Sequence, residues 1–290
     1  MNAAAAWLDN AVLVYGPRKA GTTLLQNLLD GTNDLAVYPA ELKLKYFVKT
    51  PAEGRLIDEY RARSRVAETK SPHFSVEKYQ ALWRDESDGN LGHLIRRDIA
   101  NVIAASDRQN EARLWAAKEV GGRTDAILTE WRRLFPKGRV LFILRDPLMV
   151  TRAVLNDRRR KERELSAWQI ARETIDPLRV VATAARHLGD AGTFAITYED
   201  LVANTPGTMK RVAAFLDMPF DEILTRPTLF GEPIVVRTAS RAEKHVFQSN
   251  EKWDDGLTQR ERRIVSATTK LAGLAGLRVD YAELRKRLNP

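Results

Sequence analysis

Two cations at a strand-to-helix turn, Arg18 and Lys19 in Gly16-Pro17-Arg18-Lys19-Ala20-Gly21-Thr22-Thr23, are the residues of this sequence best placed to do chemistry. Ala11-Val12-Leu13-Val14-Tyr15 precedes the turn and reads as a buried strand, and Leu24-Leu25-Gln26-Asn27-Leu28-Leu29 follows it with helical spacing. A strand, a tight loop and a helix N-terminus present backbone N–H groups to an anion, and the helix dipole adds to the attraction. The chemistry is therefore the binding of a phosphate-like group. The nucleotide-hydrolase loop, G-x-x-x-x-G-K-[ST], places its lysine after the second glycine. Here Gly16 and Gly21 keep that separation, but Thr22 stands where the lysine would be and Lys19 comes two residues before Gly21. The plain alternative is a glycine turn that only joins a strand to a helix, although such a turn seldom sets Arg-Lys beside Gly-Thr-Thr.

A second cation ends another apolar run, Arg139-Val140-Leu141-Phe142-Ile143-Leu144-Arg145-Asp146-Pro147. Open parallel sheets bind ligands outside the carboxyl ends of their strands, which brings Arg145 near the first loop. A nucleotide hydrolase would set a metal-binding aspartate directly after such a strand. An arginine suits bidentate binding of a phosphate dianion instead. The alternative is a structural Arg145–Asp146 pair at the strand end.

Both loops require strands that alternate with helices. Strands are predicted over about 11–15, 35–38, 114–117, 140–144 and 194–198. Helices are predicted over about 23–30, 76–84, 91–105, 126–134, 149–156, 166–188, 208–216 and 259–272. Thr205-Pro206 reads as an N-cap with proline at the first helical position, and Thr258-Gln259-Arg260-Glu261 has capping-box form. The pattern predicts an α/β, P-loop-like three-layer fold with a central, mainly parallel sheet flanked by helices. One domain over residues 1–290 is expected, with insertions at about 50–110 and 157–185.

Composition sets the outer bounds. The 290 residues are 44% hydrophobic, enough for a sizeable core, and include no cysteine, so disulfide and thiolate chemistry are excluded. No stretch approaches the roughly 20 apolar residues of a membrane span, and Met1 to Asn10 lacks signal-peptide character, so a cytoplasmic protein is expected. The net charge is +9, yet the cations are dispersed among 38 acids, which argues against nucleic acid as a partner. The densest run, Arg158 to Arg163, reads either as a solvated helix face or as a funnel for an anion. His93, His187 and His245 show no ligand spacing, and no metal site is expected.

Lys19-Ala20-Gly21-Thr22-Thr23 together with Arg145-Asp146-Pro147 resembles the sulfotransferases that use 3′-phosphoadenosine 5′-phosphosulfate (PAPS). Other segments match in family order: Trp115-Ala116-Ala117-Lys118, Leu134-Phe135-Pro136, Thr197-Tyr198-Glu199-Asp200-Leu201, Phe215-Leu216-Asp217-Met218, Ser240-Arg241, and Lys252-Trp253 followed by Leu257. The resemblance runs from about residue 11 to residue 265. It implies sulfation of an acceptor hydroxyl by metal-independent, in-line displacement, with PAP (adenosine 3′,5′-bisphosphate) as product. It also implies that Arg18, Lys19, Ala20, Gly21, Thr22 and Thr23 hold the 5′-phosphosulfate and that Lys19 neutralises the leaving oxygen. Arg145 would bind the 3′-phosphate, Tyr198 would lie near the adenine, and Ser240, Arg241 and Lys244 would form a flap. Where most members carry a serine eight residues after the arginine, this chain has Ala153, so Thr151 or Arg152 is expected to compensate. An ATP/Mg²⁺-dependent kinase on the same fold, or a non-catalytic nucleotide-binding module, are the competing readings.

The resemblance also calls for a base on the acceptor's hydroxyl. Glu41 lies at a spacing from Thr22-Thr23 that resembles the Glu-x-Arg segment of tyrosylprotein and related sulfotransferases, offset by one residue, with Lys43 in the arginine position. His73, in Lys70-Ser71-Pro72-His73-Phe74, is the rival, with a side chain that titrates near neutrality. The soluble small-molecule branch uses histidine in a Lys-[ST]-His segment, where this chain has Lys118-Glu119-Val120. Glu41 ranks ahead of His73. A small-molecule, carbohydrate or lipid acceptor is expected. Tyr46, Phe47, Phe74 and Trp168 could line its pocket or serve as core, and core is preferred.

Overall fold

The computed structural model describes residues 7–48, 55–84, 89–107, 112–161, 164–237, 242–243 and 255–289. Five parallel strands form the central sheet: β1 (Ala11–Gly16), β2 (Leu35–Glu41), β3 (Leu114–Val120), β4 (Arg139–Leu144) and β5 (Thr193–Thr197), in the order β2-β3-β1-β4-β5. Parallel strands need helical crossovers on both faces, so the central strands read as unbroken apolar runs. All six residues of β1 are buried. Their alternation divides the core. Leu13 and Tyr15 face one apolar cluster together with Ile95, Trp131 and Val181, while Val12 and Val14 face a second with Leu25, Leu28 and Val212. Each such side chain contributes about 2 kcal/mol by leaving water.

The helices flanking the sheet are α1 (Thr22–Leu29), α5 (Leu91–Ala104), α6 (Thr124–Leu134), α7 (Pro147–Arg160), α8 (Ala167–His187), α9 (Tyr198–Ala203) and α10 (Thr205–Phe215). The short helices α2 (Leu44–Phe47), α3 (Leu56–Arg63) and α4 (Val76–Ala81) lie between β2 and α5 in the chain. After α10 come α11 (Gln259–Leu274) and α12 (Tyr281–Leu288). The Thr258 capping box is present at α11. The α10 cap differs from expectation: Asn204 accepts the Gly207 N–H, and Thr205 is already helical.

All five predicted strands and all eight predicted helices form. Four helices escape the periodicity, namely α2, α3, α9 and α12, each of eight residues or fewer. Tyr198 is not the last residue of β5 but the first of α9, because the Thr197 side chain accepts the Asp200 N–H and turns the chain. β2 runs on to Glu41 through an irregularity in its pairing with β3 between Val37 and Glu41. Pro39 sits in that stretch, and β2 is the edge strand, where proline is tolerated and a bulge can re-aim a side chain. From β1 the chain crosses to β2 on one side, and from β4 it crosses to β5 on the other. The carboxyl ends of β1 and β4 therefore flank a topological switch point, where such sheets bind ligands.

Candidate active site

The loop after β1 is fixed by close packing. A Cβ on Gly16 would lie 2.2 Å from the Ile143 carbonyl oxygen, so β1 can approach β4 only without a side chain there. Gly21 has φ +98°, and a Cβ on it would lie 2.7 Å from the Tyr198 ring. Lys19 also adopts left-handed backbone, at φ +63°, which costs a non-glycine residue about 1 kcal/mol. Arg145 Nη1 pins that conformation by donating to the Lys19 carbonyl at 2.9 Å. Ala20 is fully buried against Val150 and Val154 of α7, which anchors the loop from below. Gly21, the residue before α1, supplies no side-chain cap, so the amides of the first turn of α1 are left uncapped by a side chain.

The Arg145 guanidinium lies 4.4 Å from the Tyr198 ring centre. No described carboxylate comes within salt-bridge distance of it. Asp146 does not pair with Arg145: it caps α7 by accepting from the Leu148 and Met149 N–H groups. Arg18 reaches buried Glu173 of α8 at 3.6 Å, and Lys19 Nζ reaches Asp157 of α7 at 3.1 Å. Asp157 also takes Lys161, at 2.9 Å. Ala153 lies in α7, partly buried. Its neighbours are committed elsewhere, because the buried Thr151 hydroxyl donates to the Pro147 carbonyl and Arg152 Nε to that of Asp255. Ser240, Arg241, Lys244 and Lys252-Trp253 lie outside the described residues.

An open cleft of about 580 Å³ joins this loop to the end of β2. Arg18, Lys19, Thr22 and Thr23 line one part, Glu41, Lys43 and Lys118 another, and Arg65, Glu68, Thr69 and Lys70 a third wall. The bend in β2 carries Glu41 into it. Lys43 Nζ lies 3.0 Å from Glu41, and Lys45 Nζ bonds the same carboxylate. Burial pushes the Glu41 carboxyl up, but the two ammonium groups outweigh it and hold the group below the usual carboxylate range. His73 does not line the cleft. It pairs with Asp107 at 3.6 Å and Glu232 at 3.2 Å. Of the four aromatic residues, Phe74 is core, stacked on Phe230, and Phe47 packs on Tyr60. Tyr46 and Trp168 are exposed, against the expectation of core, and each ring has an arginine over one face, Arg63 and Arg172 respectively. The basic run is largely spent in pairs: Arg158 with Glu173 and Arg159 with Glu261.

Sequence reasoning missed Lys118. It pairs in register with Glu41 across β2 and β3, and its Nζ donates to the Thr23 hydroxyl at 3.2 Å. Burial lowers its pKa, with Glu41 opposing, and no described carboxylate lies within salt-bridge distance. Its signal was available: it ends the apolar run Leu114–Ala117 as Arg145 ends β4. Lys45, Glu119 and Asp157 were also missed, since only the fold brings Asp157 to the cleft and gathers Lys45 and Glu119 behind Glu41.

A model of the sulfotransferase family matches residues 11–222, and the chain belongs to that family. It is 23% identical over 253 residues to protein-tyrosine sulfotransferase A of Caenorhabditis elegans, covering 82% of this chain and 58% of that relative. The chain thus spans little more than half the relative's length. The sulfotransferase domain of the Synechococcus PCC 7002 olefin synthase superimposes with a TM-score of 0.51 and 19% identity, over 89% of this chain and 94% of that one. A mouse sulfotransferase solved with PAP gives a TM-score of 0.50 at 10% identity, over 97% and 87%. These two likenesses establish the sulfotransferase fold.

Proposed function

We propose that this protein transfers a sulfuryl group from PAPS to a hydroxyl of a small-molecule, carbohydrate or lipid acceptor. The acceptor oxygen attacks sulfur in line, its proton passes to Glu41, and the bond from sulfur to the bridging oxygen breaks. The electron pair stays on the 5′-phosphate of PAP. Lys19 and the amides at the start of α1 neutralise that phosphate, and Lys118 meets the moving sulfuryl group beside Thr23. Arg145 takes the 3′-phosphate, and Tyr198 offers its ring to the adenine. In this assignment Lys43 holds Glu41 in place, and the position of Ala153 contributes no hydroxyl to the 3′-phosphate. Charge-neutralising groups fixed in advance account for much of an enzyme's rate enhancement, so protein cations suffice here without a metal ion.

The observation that carries this reading is the Arg145 guanidinium, without a carboxylate partner among the described residues, 4.4 Å from the Tyr198 ring and bonded to the backbone of the very lysine that faces the cleft. Two cationic points at neighbouring strand ends suit a nucleotide phosphorylated on both sides of its ribose. Thermal-shift titration tests it. PAP at 100 times its dissociation constant should add about 2.7 kcal/mol of stability, and ATP with Mg²⁺ much less. A preference for ATP–Mg²⁺ would turn the assignment toward phosphoryl transfer. Labelled PAPS offered to acceptor classes, with Lys19→Ala as the blank, then identifies the acceptor and separates an enzyme from a binding module.

A further inference from the structure

We propose that Glu119 is a positioning residue that sets the basicity of Glu41 by competing with it for Lys45. The inference rests on the reading of Glu41 as the base. Glu119 lies near the carboxyl end of β3 and is fully buried. An ionised carboxylate at that depth is costly unless it is paired. Its partners come from two residues: the Lys45 ammonium at 3.4 Å, the Lys45 N–H at 3.4 Å and the Val120 N–H at 3.0 Å. The Lys45 ammonium also bonds Glu41 and donates to the Val120 carbonyl at 3.3 Å. One ammonium is thus shared by two carboxylates, one open to the cleft and one sealed beneath it. The other titratable groups facing the pair are Lys43 after β2, Lys118 of β3 and Tyr15 of β1.

The environments of the two carboxylates differ in a way that gives each a task. Burial pushes Glu119 up to about 7, with the Lys45 charge opposing and the Glu41 charge reinforcing. Glu41 is held low by its two lysines. Such a separation of two coupled carboxyl groups is how one site assigns different roles to the same chemistry. A carboxylate clamped by two ammonium groups is a weak base. When Glu41 takes a proton from the acceptor it loses its hold on Lys45, and Glu119 is positioned to take up that ammonium. Without Glu119, Lys45 would belong to Glu41 alone and oppose the proton transfer.

Glutamate ¹³C-carboxyl titration by NMR, with assignments from the single variants, tests the linkage on the whole chain without any acceptor. Glu119 titrates above Glu41, so Glu41 is ionised where Glu119 takes its proton, and the linkage is read there: Glu41→Gln should move the Glu119 midpoint down by about one unit, because it removes a negative charge and a rival for Lys45. In a Lys45→Met background the same substitution should move Glu119 by less than half as much. An unchanged or rising Glu119 midpoint in Glu41→Gln overturns the proposal, and so does an equal shift in the Lys45→Met background. Should Glu41→Gln fail to fold, Lys45→Met alone decides: both carboxyl midpoints must rise, and a Glu119 midpoint that stays put overturns it. In transfer assays the acid limb of the rate profile should follow the Glu41 midpoint. A Glu41→Gln enzyme with full transfer activity would remove the base assignment while leaving the measured linkage intact, so the two failures are told apart.

Discussion

The proposed donor half of the site is contiguous and made largely of backbone, whereas the proposed acceptor half is assembled from distant side chains. From Gly16 to Thr23, position follows from two glycines, a buried Ala20 and the carbonyl that Arg145 holds. Glu41, Lys45, Lys118 and Glu119 meet only because β2 pairs with β3 and α2 folds back over their ends. The charges are also left in different states. Among the described residues Arg145 has no carboxylate partner, while Glu41 has two ammonium groups. The comparison teaches that a site for an obligatory anion can keep a cation waiting. A site for a neutral hydroxyl must store its base in compensated form and release it during the reaction.

Substituting the proposed base should have the largest effect. Glu41→Gln is expected to lower the transfer rate by about 10²–10⁴-fold, the usual contribution of a positioned general base. PAP binding should stay within twofold, since the substitution lies in the acceptor half. His73→Ala should leave the rate near that of the wild type. If His73→Ala is the damaging change and Glu41→Gln is tolerated, the two halves have been divided wrongly.

The contrast explains what could be read from the sequence. β1, the glycine spacing, β4 and Arg145 were legible because a strand–loop–helix turn carries its geometry within eight residues. Glu41 was legible only as a spacing from Thr22-Thr23. The bend at Pro39 that aims it lies in strand pairing, which local pattern does not encode. Glu119 was hidden for a physical reason: a carboxylate ending an apolar strand looks like the solvated end of the element. Tertiary packing buries it instead. The short helices α3 and α9 escaped because each is too brief for a period of 3.6 residues to declare itself. Arg145-Asp146 read locally as a possible pair, yet Asp146 is spent on the first turn of α7.

A mid-sized effect should distinguish the two phosphates of the donor. Arg145→Ala is expected to weaken PAP by about 10–100-fold, the loss of a charged hydrogen-bonding group. Adenosine 5′-phosphate, which lacks the second phosphate, should bind almost unchanged. Calorimetric titration with both nucleotides gives the comparison. Equal losses for the two would place the guanidinium at the 5′ side, and the donor half would then hold a single anion point rather than two.

The effect furthest from the reaction touches stability rather than rate and concerns the wall beside Glu41. Asp98 of α5 is fully buried and accepts hydrogen bonds from Tyr38 of β2 at 2.8 Å, Tyr60 of α3 at 2.9 Å and Tyr79 of α4 at 2.6 Å. One carboxylate thus ties the strand that bears Glu41 to two of the short helices that follow it. Burial raises its pKa to about 6, with the three hydroxyl donors pulling the other way. The folded state therefore binds this proton more tightly than the unfolded chain does. That contribution is complete below about pH 4, declines as pH rises, and is gone above about pH 6, a span worth about 3 kcal/mol. Urea midpoints of the wild type relative to Asp98→Asn should fall across this window. A difference that stays flat from pH 4 to 7 would show that the hub does not titrate there. The wall beside Glu41 would then owe its position to the packing of Tyr60 and Trp83 rather than to the shared carboxylate.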